Sequence, residues 1–185
     1  MSTTTLIVAL VIIGVLAALG AWLWVRRWRT EKLRARFGPE YERAVREEGS
    51  QVRAEQVLAD RERKVAAFRI RALTGDEAAR YRDAWRRVQA RFVDEPSVAL
   101  VDADRLIADV MHTRGYPTTD VDARTEALSV DHARTVEHYR SAHDIVELRD
   151  RGQAGTEDLR QAMVHFRALF QDLVGADEPA ARKRA

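Results

Sequence analysis

The sequence predicts an all-α protein with a single N-terminal transmembrane helix, a charged helical stalk and a compact helical bundle. Three observations predict this fold class. The first is an uncharged run at 6–25 that is long enough to cross a bilayer. The second is that apolar residues recur at steps of three and four through the rest of the chain, which is the period of one helix face. The third is that no stretch alternates apolar and polar residues between turn residues, as a half-buried strand would.

The N-terminal run reads LIVALVIIGVLAALGAWLWV from Leu6 to Val25 and follows a short leader at 1–5. At about 1.5 Å per residue, a helix of this length spans about 30 Å, the hydrocarbon thickness of a bilayer. Aromatic and basic residues follow at its C-terminal end, which is typical of a membrane interface. The lipid bilayer is therefore one predicted partner. The predicted membrane-interface residues are Trp22, Trp24, Arg26, Arg27, Trp28 and Arg29.

The charges around this run predict its orientation. The leader has no Lys or Arg, whereas the juxtamembrane segment 26–36 has six basic residues and one acidic residue. Because the positively charged flank stays inside, we expect the N-terminus outside the cell and the C-terminal domain in the cytoplasm. The alternative is a signal peptide cleaved near residues 18–20, which gives a secreted or extracytoplasmic helical protein, although a signal peptide normally has a basic N-terminal region.

The segment 37–75 is predicted to be a charged helical stalk. The Phe-Gly-Pro string at 37–39 should end the first helix, because proline suits the first position of the next one. Gly-Ser at 49–50 should end that second helix, and a third helix is expected over 51–73. The middle of the third helix, DRERK at 60–64, is fully charged, which is typical of a helix that packs loosely.

The segment 76–175 is predicted to be the helical bundle. We expect its first helix to begin at Asp76 and to bury Trp85, which lies on a stripe of apolar residues at steps of three and four. The second helix should end at Gly115, because Pro117 prevents its continuation.

Two further helices of the bundle are expected to begin at Ser129 and Thr156, since Ser and Thr are favourable N-caps. The last helix has the clearest apolar stripe in the chain, and a disordered basic tail is expected to follow it over 176–185. The stripe consists of Leu159, Met163, Phe166, Leu169, Phe170 and Leu173.

Composition and motifs exclude several classes of protein. The 185 residues include no Cys, which excludes a disulfide scaffold and a Cys-based zinc or redox site. Basic and acidic residues nearly balance, at 31 against 29, so we expect no nucleic-acid partner. The GxxxxGK[ST], GxGxxG, GxSxG and HExxH motifs are absent. We therefore expect no cofactor, no catalytic residue and no enzymatic activity.

Histidines near the C-terminus are the candidate site. We expect an interaction surface there, because aromatic and imidazole side chains suit the rim of a helix pair in contact with a partner. The predicted surface residues are His132, His138, Tyr139, His143 and His165. The alternative is a metal- or pH-responsive sensor, since histidine binds metals and titrates near pH 6.5. His143 and Glu147 have the i, i+4 spacing that two ligands of one metal would need, but the Glu-x-x-His motif of di-iron bundles is absent.

Five strings of the chain resemble an uncharacterised bacterial family of small proteins with one hydrophobic N-terminal segment. The strings are RFGPEYERAV at 36–45, QARFVDEP at 89–96, RGYP at 114–117, LSVDHARTVEHYRSAH at 128–143 and TEDLRQAMVHFRALF at 156–170. The resemblance covers most of residues 36–174. It implies one continuous domain and supplies no activity, cofactor or catalytic residue.

These observations together predict a membrane-anchored cytoplasmic helical protein that is not an enzyme and acts as a protein-interaction or scaffold module. We expect a protein partner, whose identity the sequence does not give. Oligomerisation has little support, since pairs such as Gly14 and Ala18, which would let two helices approach closely, arise by chance in an Ala-rich run.

Overall fold

A computed structural model describes residues 3–117 and 119–175, and within the first helix it describes the side chains of residue 10 and of residues 12 onward. All regular secondary structure in these residues is α-helical, which confirms the all-α prediction. The predicted basic tail at 176–185 lies outside the described residues, as do the side chains of the predicted leader at 1–5. The helices are α1 (Thr3–Phe37), α2 (Pro39–Glu48), α3 (Gln51–Ala66), α4 (Gly75–Arg91), α5 (Pro96–Arg114), α6 (Val121–Asp131), α7 (Val136–Asp150) and α8 (Thr156–Gly175).

The predicted membrane-spanning helix is contradicted. Among the residues that the structure describes, no helix is both long enough and apolar enough to cross a membrane. Helix α1 continues beyond Val25 into Arg26, Arg27 and Arg29, so it is not apolar over its whole length. The same finding contradicts the predicted single-pass membrane location with a cytoplasmic domain.

The predicted membrane-interface residues lie in α1, where their side chains are exposed. The guanidinium carbon of Arg26 lies 5.5 Å from the ring centroid of Trp22, a cation–π contact. Arg27 Nε donates a hydrogen bond to Glu31 Oε1 over 3.1 Å, one helical turn away. These neighbours therefore interact with one another along the surface of the helix.

The chain divides into two compact units, Met1–Leu58 and Ala59–Ala185. In the first unit, the carboxylate of Glu55 joins α3 to α1 and α2. Its Oε1 atom accepts hydrogen bonds from Thr30 Oγ1 over 2.7 Å, from Tyr41 Oη over 2.9 Å and from Gln51 Nε2 over 2.9 Å. Burial by itself would raise the pKa of Glu55, but these hydrogen bonds hold that pKa below its ordinary value.

The second unit is a bundle in which α8 packs against α7, α5 and α4, and α4 also packs against α5. The apolar stripe of α8 explains its central position, because all six predicted stripe residues are buried. On α4, Trp85 is 5% exposed, which confirms its predicted burial. Burial of these stripes is the main source of stability for such a bundle.

The chain between α3 and α4 differs from the prediction. The helix expected over 51–73 ends at Ala66, and residues 67–74 are irregular. This segment lies against the end of α5, where the backbone N–H of Arg71 donates to the carbonyl of Arg114 over 2.8 Å. Helix α4 then begins with a capping box, in which Thr74 and Glu77 each bind the other's backbone N–H.

The helix expected to begin at Ser129 is also wrong. Ser129 lies inside α6, where its hydroxyl donates to the carbonyl of Glu126 over 2.6 Å, and α7 begins only at Val136. The break falls at 132–135, where the backbone N–H groups of Thr135 and Val136 both donate to the carbonyl of His132. The ring of His132, at this turn, also contacts Tyr116 and Asp172. The pattern of the sequence does not reveal contacts between residues so far apart in the chain.

Gly115 ends α5 in a conformation that other residues rarely adopt. Its φ is 91°, and a Cβ atom there would lie 2.6 Å from the carbonyl oxygen of Arg69. We expect Gly115→Ala to lower the free energy of unfolding by at least about 2 kcal/mol, because it combines backbone strain with a clash against backbone. Chemical denaturation followed by circular dichroism measures this change.

Gly75→Ala is the matched control. A Cβ at residue 75 meets no atom within 4 Å, and φ there is not positive. This variant should be unchanged or up to about 1 kcal/mol more stable, because alanine restricts the unfolded chain. Equal stability of the two variants would contradict the close approach of the 67–74 segment to the end of α5.

Candidate functional site

The structure distributes the five predicted surface residues over three polar clusters in the second unit. Tyr139 and His143 in α7 belong to one cluster, and His132, which directly follows α6, belongs to another. His138 in α7 pairs with His165 in α8. Tyr139 is 0% exposed and His132 is 7% exposed, while the other three are half-buried.

The first cluster is centred on Asp104 of α5 and is called the Asp104 cluster. Its Oδ1 atom lies 3.1 Å from His143 Nε2 and accepts hydrogen bonds from Tyr139 Oη over 3.3 Å and from Arg124 Nη1 over 3.4 Å. The guanidinium of Arg124 also lies 5.8 Å from the centroid of the Tyr139 ring. One carboxylate on α5 thus joins α6 and α7.

Electrostatics keep Asp104 ionised and Tyr139 protonated near neutral pH. Burial would raise the pKa of Asp104, but the hydrogen bond and charge of His143 and the charge of Arg124 hold it below its ordinary value. Burial raises the pKa of Tyr139, and the neighbouring charge of Asp104 raises it further. The carboxylate therefore stays ionised and the phenol stays protonated, which suits a cross-link between helices.

The second cluster surrounds the ring of His132 and is called the His132 cluster. Nδ1 of this ring lies 2.7 Å from Asp172 Oδ2, and Nε2 lies 3.2 Å from Tyr116 Oη. Thr135 Oγ1 donates to the same oxygen of Asp172. The hydrogen bond with His132 lowers the pKa of Asp172 in spite of partial burial. Both ring nitrogens of His132 therefore have partners within the bundle.

The third cluster is the pair His138 and His165, whose Nδ1 atoms lie 3.0 Å apart. One of these nitrogens must carry a hydrogen and donate a hydrogen bond to the other, so the pair does not accommodate a proton on both without repulsion. Partial burial, and then the charge of His138, lower the pKa of His165. This pair is the observation that favours the pH-responsive alternative.

The metal-responsive alternative gains no support from the described residues, among which no group of three or more His, Asp or Glu side chains is placed to hold a metal ion. The predicted neighbours His143 and Glu147 have separate partners. His143 contacts Asp104, and Glu147 Oε2 accepts a hydrogen bond from Arg151 over 2.8 Å. The role of the five predicted residues as an interaction surface stays a prediction.

A groove between α4 and α8 was missed by the sequence analysis. It has a volume of about 420 Å³, within the range of ligand-binding sites. Trp85 and Phe170 form part of its wall and stack on each other, with ring centroids 4.6 Å apart and planes 15° apart. The residues that line this α4/α8 groove are Arg82, Trp85, Arg86, Gln89, Arg167, Phe170, Gln171, Val174 and Gly175.

The charges of the α4/α8 groove are of one sign. Among the residues that the structure describes, three exposed arginines line it and no carboxylate does. Arg82 and Arg167 form no ion pair within the part of the chain that the structure describes. Arg86 pairs with Asp83 on the surface of α4, an exposed contact of the kind that contributes little stability. The arginines at 82 and 86 were a signal in the sequence, since they flank Trp85 on the predicted helix, but the position of Arg167 opposite them depends on the tertiary fold.

A second groove, between α4 and α5, provides a comparison within the same bundle. It has a similar volume of about 450 Å³ and is also lined by three arginines, Arg87, Arg91 and Arg105. Asp102 and Asp109 line it as well, and Arg91 Nη1 donates to Asp102 Oδ2 over 2.7 Å. The α4/α5 groove therefore neutralises much of its own charge, and the α4/α8 groove does not.

Comparisons of the chain with protein-family models, with curated proteins and with solved structures gave no match. The resemblance of its five strings to an uncharacterised bacterial family stays a prediction.

The Asp104 cluster makes a prediction about stability. We expect Asp104→Ala to lower the free energy of unfolding by about 1–3 kcal/mol, because Arg124, Tyr139 and His143 lose a shared partner. Asp102→Ala on the same helix is the control, since its carboxylate is about as exposed, at 28% against 26%, but its ion pair lies on the surface. The control should cost less than about 1 kcal/mol. Equal losses in urea denaturation would show that the cluster does not tie α5 to its neighbours.

Proposed function

We propose that the chain is a non-enzymatic protein-interaction module and that a partner protein binds over the α4/α8 groove. One observation carries the proposal. Three exposed arginines converge on a groove with a stacked aromatic pair in its wall, and no carboxylate among the described lining residues neutralises them. Arginine and aromatic residues are enriched at protein interfaces, where they contribute much of the binding energy.

The polar clusters support the same proposal because their side chains already have partners within the bundle. Asp104, His143 and His132 are residue types that commonly do chemistry or bind ligands, but each of them has partners inside the bundle. Their present contacts hold helices together. The arginines at the groove differ, because Arg82 and Arg167 are exposed and have no ion pair among the described residues, so they can pair with groups on another molecule.

The packing beneath the groove supports a pre-formed site. Trp85 and Phe170 are 5% and 3% exposed, so the wall of the groove is part of the bundle core. Partners of this kind usually bind with little backbone movement, and a rigid wall limits the conformational entropy that binding costs. Long arginine side chains on such a wall can adjust to the partner.

Site-specific photo-crosslinking in cells tests the proposal. A photoreactive phenylalanine analogue replaces Gln171, which lines the groove, or Val164, which is 47% exposed on the same helix outside the groove lining. We expect a discrete crosslinked protein with the analogue at 171 and none at 164. The crosslink should disappear when Arg82→Glu is added, because the groove then carries a negative charge.

Two results would contradict the proposal. One is crosslinking to the same proteins from both positions, since that indicates nonspecific contact. The other is a crosslink from 171 that persists in the Arg82→Glu variant, because the arginines would then have no part in binding. Circular dichroism of each variant confirms that the helices are intact before the crosslinks are compared.

A further inference from the structure

We infer that the ligand of the α4/α8 groove is an acidic peptide segment, in which carboxylates pair with Arg82, Arg86 and Arg167 and the peptide backbone binds Gln89 and Gln171. This inference rests on the proposed function and names the chemistry of the partner. It follows from the charge of the lining, from the kind of uncharged polar groups beside the arginines, and from the contrast between the two grooves of α4.

The arginines present a cationic surface on two sides of the groove. Arg82 and Arg86 are one turn apart on α4, and Arg167 is on α8. A guanidinium binds a carboxylate through two parallel hydrogen bonds, and such charge-assisted bonds are stronger than neutral ones. Arginines on both helices suit carboxylates spaced along a segment better than they suit a single small anion.

The amides distinguish a peptide from a phosphate. Gln89 of α4 and Gln171 of α8 also line the groove. Each amide has two N–H donors and a carbonyl acceptor, so it can bind both the C=O and the N–H groups of a peptide backbone. A phosphate dianion offers acceptors only, so it would give the amide carbonyls no donor.

Trp85 gives the groove a second feature that points to a ligand. This residue lines the groove and is 5% exposed, and its indole Nε1 has no hydrogen-bond partner among the described residues. A buried donor without a partner costs free energy, and an acceptor supplied by a ligand would offset that cost. Trp85 is also a fluorescent reporter within the proposed site.

The α4/α5 groove supplies the internal control for charge. Both grooves have three arginines, share α4 and have similar volumes. They differ in the two aspartates that the α4/α5 groove contains. Specific recognition predicts dependence on Arg82 and Arg167, whereas general electrostatic attraction predicts equal dependence on Arg87 and Arg105.

The experiment uses the full chain with Trp22, Trp24 and Trp28 replaced by phenylalanine, so that Trp85 is the remaining tryptophan of the four. The background also contains Asp177→Asn and Glu178→Gln, so that acidic residues near Gly175 in sequence do not compete. Blocked hexaglutamate is titrated while Trp85 fluorescence is recorded, and hexaglutamine, inorganic phosphate and a short oligothymidylate are titrated separately.

We expect a saturable change with hexaglutamate that weakens as salt is added, and no saturable change with hexaglutamine. Arg82→Gln and Arg167→Gln should each raise the Kd about three- to tenfold, whereas Arg87→Gln and Arg105→Gln should change it less than about twofold. Gln171→Ala should weaken binding of the peptide and leave any weak binding of phosphate unchanged.

Several outcomes would overturn the inference. No saturable change with hexaglutamate rejects the ligand class. Tighter binding of phosphate or of the oligonucleotide, with the same dependence on Arg82 and Arg167, assigns the groove to another anion. Equal effects of the four arginine substitutions on the Kd would show that binding is general electrostatic attraction.

The inference and the proposed function fail separately. A specific crosslink from residue 171 in cells, together with no binding of hexaglutamate, keeps the interaction module and rejects the acidic peptide. Binding of hexaglutamate without a crosslink from residue 171 would show that the groove has the inferred chemistry. It would reject the proposal that a partner protein binds there in the cell.

Discussion

The stacked contact between Trp85 and Phe170 is the interaction on which the proposed site depends. It packs α4 against α8 with the two ring centroids 4.6 Å apart, and both rings are buried. Burial of two aromatic side chains stabilises a fold by several kcal/mol, on the order of 1.5–3 kcal/mol for each large side chain. The same contact holds Arg167 near Arg82 and Arg86, which repel one another. Solvent and salt weaken that repulsion at the exposed rim, so apolar packing can maintain a concentration of positive charge.

The partly buried polar clusters show the opposite arrangement of charge. Asp104 has three side-chain partners on two other helices, and Asp172 is held by His132 and Thr135. These carboxylates have partners within the bundle, and a network of this kind fixes helix positions when every member has its partner. The same bundle therefore contains acidic groups that are used internally and basic groups that are presented to solvent. This separation is the physical basis for placing function on the surface of α4 and α8.

The sequence predicted those features that depend on local pattern. The six apolar residues of α8 and Trp85 of α4 are buried as their spacing predicts, and Gly115 ends α5 with a positive φ. Residues 67–73 were predicted as helix but are irregular, and sequence pattern could not reveal this because their contacts with Arg114 are distant in sequence. The helix predicted to begin at Ser129 begins only at Val136. The turn at 132–135 accompanies contacts of His132 with Tyr116 and Asp172, which are also distant in sequence.

The candidate site was less predictable than the fold. The histidine pattern drew attention to five residues, but the partners that bury His132 and Tyr139 lie on other helices, so their pairing was not visible in the pattern. The groove could not be predicted because Arg167 is about 80 residues from Arg82 in sequence. The large excess of arginine over lysine made single arginines uninformative until the structure showed which of them lack carboxylate neighbours.

Side-chain NMR of the full chain tests the central claim most directly, namely that binding uses the α4/α8 groove and leaves the polar clusters untouched. The signals to follow are the Nε–Hε groups of Arg82, Arg86 and Arg167, the indole N–H of Trp85, and the rings of the histidines. On saturation with blocked hexaglutamate, the account predicts that the arginine and indole signals shift while the ring signals of His132 and His143 do not. Shifts of the histidine rings with unchanged arginine signals would contradict it and would return the site to the surface that the sequence first indicated.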